Sequence, residues 1–166
     1  MSQEEKEKIL GLGGIFRRVG NFQPVVFLSS FDARLIFQKT IYLLQAFGLY
    51  LGFDFSWYLR GPYSPLLAHY GYEIAKTDKP IPIVKFADPQ SERKFEDFLE
   101  FLGPEKENVE WLEILASIHM QRKLHPWKSK SDILKIVVSK QSYFTIEKCE
   151  EAWGYLSRYG LMGERE

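Results

Sequence analysis

Cysteine is almost missing from this chain. Cys149 stands alone among 166 residues, which excludes an internal disulfide and a cysteine-cluster zinc site and fits a reducing compartment. An excess of either charge is also lacking. Lys+Arg and Asp+Glu number 22 each, so no whole-molecule field draws in nucleic acid or an anionic membrane. No apolar run approaches the length of a membrane span. The amino terminus alternates acid and base from Glu4 to Lys8, unlike a signal peptide. The cytoplasm is therefore the expected compartment, with no membrane partner.

Chemistry-bearing patterns are equally sparse. The three histidines, His69, His119 and His125, form no i, i+4 pair and no His-Glu-x-x-His frame, so no metal ligand is assigned. His119 shares a helix face with Leu112 and Leu115 and reads as a core or boundary histidine. Cys149 lies on an apolar stripe without a histidine partner, and no Gly-x-Ser-x-Gly elbow is present. Gly11-Leu12-Gly13-Gly14 lacks the preceding strand and the Lys-Ser/Thr ending of a phosphate loop, and reads as a helix break or a close helix approach. No catalytic residue and no cofactor is expected, and the chain is read as a non-enzyme.

What is present is bulk. Hydrophobic residues make up 45% and aromatic residues 16%, with 13 Phe and 9 Tyr. That is enough for one domain over residues 1–166 with a sizeable core. The periodicities are those of helices. A first helix spans residues 3–19. Gln23 to Leu28 reads as an extended connector, and Ser29 or Ser30 then caps a helix over 30–48, Ser29 and Asp32 resembling a capping box. That helix is apolar around most of its circumference except for a strip of Arg34, Gln38 and Gln45 with Lys39 and Tyr42 beside it. An extended or hairpin segment follows over 53–59. Ser64-Pro65 starts a helix to residue 76 with Leu66, Leu67, His69, Tyr70 and Ile74 inward. After a connector at 76–87, Asp88-Pro89 opens a helix to Leu102. Further helices are expected over 105–123, 131–139 and 145–159, the last with Ile146, Cys149, Trp153 and Leu156 facing the core. The fold class is mainly α, a compact helical domain with a short two-stranded β element and winged-helix-like features in its last helices.

Two stretches stand out: Phe37-Gln38-Lys39-Thr40-Ile41-Tyr42-Leu43-Leu44-Gln45, and Gly61-Pro62-Tyr63-Ser64-Pro65-Leu66-Leu67, with Phe53-Asp54-Phe55 between them. The first places polar side chains in an apolar helix, and the second is a rigid turn into a helix start. The order resembles the YwgA-like family and, more distantly, the Panacea-domain (SocA-like antitoxin) proteins. The resemblance covers residues 5–76, so 1–76 is read as the family-like core and 88–166 as a helical continuation. It implies a non-enzymatic protein-binding role, antitoxin- or adaptor-like. The expected protein-partner surface comprises Gln38, Lys39, Tyr42, Arg60, Gly61, Pro62, Tyr63 and Ser64, with a toxin or other client as partner. The same residues could instead form a buried network locking the turn onto the helix. The alternative function is a winged-helix-like DNA-binding regulator, suggested by the helix pair at 131–160 and by Arg122, Lys123, Lys128 and Lys130. Glu147, Glu150 and Glu151 weigh against it, because they would meet phosphates.

Overall fold

Local sequence signals set most helix starts. A computed structural model describes residues 1–163. In chain order the elements are α1 (Gln3–Val19), α2 (Pro24–Ser29), α3 (Phe31–Ala46), β1 (Ser56–Tyr58), β2 (Gly61–Tyr63), α4 (Pro65–Lys76), α5 (Pro89–Leu102), a 3-10 turn (Gly103–Glu105), α6 (Val109–Leu124), α7 (Lys130–Lys140) and α8 (Ile146–Arg158). Every helix except α2 opens with a side-chain oxygen that accepts an otherwise orphaned backbone N–H: Ser2, Ser30, Ser64, Asp88, Asn108, Ser129 and Thr145 in turn. Ser30 is the cap of α3. Ser29 instead turns its hydroxyl back to the Val25 carbonyl.

α3 and α6 form the spine, packed on each other, with α7 and α8 on the far side of α6 and α4 against α1, α2 and α3. Both spine helices carry buried residues around most of their circumference, which only a central position allows. The aromatic content goes largely into two clusters. Phe16 stacks on Phe37 at 4.4 Å between centroids, with Phe22 and Phe27 edging in. Phe98 and Phe101 meet Phe47, Tyr155 and Tyr159 near the end of α8. β1 and β2 make a two-stranded antiparallel hairpin in the register Ser56↔Tyr63, Trp57↔Pro62, Tyr58↔Gly61. It packs against α3 and α6, and no strand follows α8 among the described residues.

Three local expectations need correction. Residues 24–29 are a helix, not an extended connector. Pro24 occupies the first helical position, and the short turn inserts Phe27 into the aromatic cluster while Val25, Val26 and Leu28 stay exposed, so tertiary anchoring overrides the strand preference of Val-Val. On α4, Leu66 and His69 face solvent, because the inward stripe runs Leu67, Tyr70, Ile74. Ile146, the first residue of α8, is exposed as well. No described helix is long and apolar enough to cross a membrane.

The connector 77–87 has no secondary structure, yet it is held in place. Arg17 and Arg18 donate to the carbonyls of Ile81 and Val84, and Arg18 also pairs with Glu92 at 2.7 Å. The Arg18 hydrogen bond holds the Glu92 carboxyl down to about 2. Gly14 lets this strap lie directly on α1: a Cβ there would stand 2.7 Å from the Pro82 carbonyl oxygen and 2.8 Å from the Val84 methyls. The glycine run does not break α1, and the chain that approaches closely at Gly14 is this irregular strap, where a second helix was the expectation. Gly14→Ala is therefore expected to destabilise the fold by about 1–3 kcal/mol through overpacking and to speed limited proteolysis within 77–87. Unchanged urea midpoint and cleavage rate would show that the strap does not need the contact.

Candidate functional site

The polar strip of α3 is not a wet face. Arg34 turns back to the Phe27 carbonyl of α2, and the other side chains of the strip read the backbone or a side chain of an element that follows. Gln38 makes a two-point grip on Ser64, accepting its N–H at 3.0 Å and donating to its carbonyl at 2.9 Å. Lys39 Nζ donates to the Pro62 carbonyl at 2.6 Å. Gln45 accepts from the N–H groups of Leu51 and Phe53 and donates to the Phe53 carbonyl. Tyr42 meets Nδ1 of His119 at 2.7 Å. Burial pushes His119 down to about 4 and raises the Tyr42 hydroxyl, so both partners are neutral. The strip thus satisfies the irregular chain of 51–64, whose backbone groups would otherwise be buried without partners.

The hairpin is clamped from its other side by the second half of the protein. Arg60, at its tip, donates through Nε and Nη2 to the carboxylate of Glu113 on α6, at 2.9–3.3 Å. Glu113 is 0% exposed and also accepts from the Tyr143 hydroxyl at 2.9 Å. Gln141 donates to the Leu59 carbonyl at 2.9 Å. Gly61 sits at φ +88°, and a Cβ there would come within 2.6 Å of Ser117 Oγ, so conformation and space both demand glycine. Sequence reasoning missed Glu113, Tyr143 and Gln141. The available signal was a carboxylate set inside the apolar run Trp111-Leu112-Glu113-Ile114-Leu115.

Between the hairpin, α2, α3 and α4 opens a cavity of about 440 Å³, within the range of ligand and side-chain clefts. Phe27, Phe31, Leu35 and Phe37 line one side, and Tyr58, Leu59 and Tyr63 the hairpin side, with Ala68 and Tyr72 closing it. Its polar lining is Arg34, Gln38, Lys39 and Arg60. The eight expected surface residues therefore divide. Gln38, Lys39, Arg60, Gly61 and Tyr63 line the cleft, whereas Tyr42, Pro62 and Ser64 are buried behind it. Only Arg60 and Tyr63 of the eight are even half-exposed: Gln38 and Lys39 hold the end of the hairpin, and Tyr42 is turned to His119. The exposed groups around the cleft lie outside the eight expected surface residues: Phe31 at 53%, Leu59 at 76% and Tyr58.

Other candidate groups stay apart. No three His, Cys, Asp or Glu among the described residues cluster as metal ligands would. Cys149 is buried, which pushes its thiol up to about 11. Arg122 is occupied with the carbonyls of Met162, Pro126 and Lys128, and Lys130 pairs with Glu150. No known family model, curated protein or solved structure matches this chain.

Lys39 is 1% exposed, and desolvation pushes it down to about 7; Glu113 opposes this shift and Arg60 adds to it. Below that pH both the folded and unfolded chains hold the proton, and burial carries its full cost. From about 7 to the ordinary lysine value of 10.5 the unfolded chain binds more protons, so stability rises with pH. Denaturant unfolding across that window is expected to show a rising slope that Lys39→Met flattens. A slope equal in both proteins would mean that Lys39 keeps its ordinary proton affinity.

Proposed function

We propose that this chain is a non-enzymatic protein-binding module, antitoxin- or adaptor-like and of the YwgA/Panacea type, that grips a partner protein at the cleft between the hairpin and the α2–α3 corner. One observation carries this reading. A concave, mostly apolar cavity is bordered by large hydrophobic side chains left in water: Phe31, Tyr58 and Leu59 at its edge, with Val25 (80% exposed) and Leu28 on neighbouring α2. Contiguous exposed apolar surface of this kind, with aromatic and arginine residues together, has the composition of an interface centre. The rigid attachment of the hairpin supports it further, since a preorganised edge loses little entropy on binding.

The DNA-binding alternative draws less support. Two members of its basic cluster, Arg122 and Lys130, are already engaged within the fold, and Glu147, Glu150 and Glu151 on α8 are exposed. A gel shift on random duplex at low salt is expected to show no retardation. Retardation that weakens steeply with salt would favour the DNA reading.

A photo-crosslinking amino acid in place of Leu59 tests the leading reading in the native host lysate. It is expected to capture a discrete protein partner, identified by mass spectrometry, that the same group at exposed Ile83 on the connector does not. Identical capture profiles from the two positions would remove the cleft as the interface.

A further inference from the structure

The charge lining the cleft is one-sided. Arg34, Lys39 and Arg60 line it, and no aspartate or glutamate does. The nearest compensating carboxylate, Glu113, lies outside the lining and is already held by Arg60 and Tyr143. Two guanidiniums, with a lysine depressed to about 7 behind them, thus face one buried anion. The two guanidiniums flank the same ring, with Arg60 Cζ 5.5 Å and Arg34 Cζ 6.0 Å from the centroid of Phe31, so Phe31 and a pair of positive charges share one edge of the cavity.

Neither guanidinium is spent. Arg34 uses Nη1 on the carbonyls of Phe27 and Leu28 at the end of α2, and Arg60 uses Nε and Nη2 on Glu113. Nη2 of Arg34 donates no hydrogen bond among the described residues, and beyond Glu113 the Arg60 guanidinium has the Tyr143 side chain beside it. Guanidinium groups in a partly desolvated apolar setting bind carboxylates with short, charge-assisted hydrogen bonds.

Resting on the protein-binding reading, we propose that the partner segment held in the cleft is acidic as well as apolar: a large hydrophobic side chain fills the cavity, and a carboxylate a few residues away sits between Arg34 and Arg60. The cavity supplies the size complementarity for the anchor, and the unmatched positive edge supplies the charge complementarity for the acid. An apolar anchor alone would dry the outer N–H groups of the two guanidiniums without giving them an acceptor, which costs affinity. A basic segment would be repelled.

The test is selection of random linear peptides displayed on phage against the intact protein, followed by fluorescence anisotropy on labelled synthetic peptides from the enriched set. Enriched sequences are expected to combine an aromatic or branched aliphatic residue with a nearby Asp or Glu. Replacing that acid by its amide in the peptide is expected to weaken binding at least about tenfold, a comparison that needs no protein variant. Arg34→Gln, which keeps a donor for the Phe27 carbonyl, is expected to weaken the acidic peptide by a similar factor while leaving the amide peptide nearly unchanged. Ala68→Phe, which fills the cleft without touching a charge, is expected to abolish binding of both.

The outcomes separate the two levels of the argument. Enriched peptides that lack an acid, or amide peptides that bind as tightly as acidic ones, overturn the carboxylate and leave the cleft as a protein-binding site. Peptides that bind the Ala68→Phe protein as well as wild type overturn the cleft itself. If no peptide is enriched while 3-phenylpropionate binds and 3-phenylpropan-1-ol does not, the positive edge serves a small acid and the inference is overturned in favour of a metabolite site.

Discussion

The two-point hydrogen bond between Gln38 and the backbone of Ser64 is the constraint on which this architecture turns. One amide side chain satisfies both the N–H and the carbonyl of a single residue, and that residue is also the cap of α4, its hydroxyl accepting from Leu67. The hairpin end, the start of α4 and the middle of α3 are therefore fixed relative to one another at one point. Lys39 on Pro62 and Gln45 on Phe53 extend the same logic along the strip. An irregular stretch from 51 to 64 can then run against the core without stranding its polar backbone, which would cost about 1–3 kcal/mol per orphaned group.

Much of this was legible in the sequence, and the part that was not has a common cause. Ser64-Pro65, Asp88-Pro89 and Thr145 announce helix starts through interactions spanning three residues, so local chemistry suffices to find them. The Gln-Lys-x-x-Tyr and Gly-Pro-Tyr-Ser stretches were recognisable as a pair, and the fold does join them. Their burial stood in the sequence only as one of two readings, because whether a polar strip faces water or a neighbouring backbone depends on what packs against it; the buried network is the one the fold adopts. The clamp of Arg60 by Glu113 spans 53 residues, and that of Leu59 by Gln141 spans 82. No periodicity within either helix reports such a pairing. The helix at 24–29 was hidden for a related reason: a single buried phenylalanine secures it, against the β preference of its valines.

The same division explains why the first and second halves are one unit. Read alone, residues 1–76 contain a hairpin whose tip carries an arginine with no counter-charge, and residues 88–163 contain a glutamate buried in a helix with no cation. Each half completes the other. Burying a carboxylate in α6 is tolerable only because Arg60 and Tyr143 both address it, and the orientation that Arg60 adopts to do so leaves it lying over Phe31 and Tyr143.

The way the hairpin is held has an evolutionary consequence. Lys39, Gln38 and Gln141 grasp carbonyls and an amide of the main chain, not the side chains that the hairpin displays. The side chains of Tyr58 and Leu59 take part in none of these hydrogen bonds and sit largely in water. Substitution at 58 and 59 leaves the scaffold's bonding intact, so these two positions are exchangeable on a fixed mount, while Arg60 beside them stays committed to Glu113. A lineage built on this mount can drift in what it recognises without first having to refold, and rapid divergence at 58 and 59 beside constancy at 38, 61 and 64 is the pattern that such a mount would leave among its descendants.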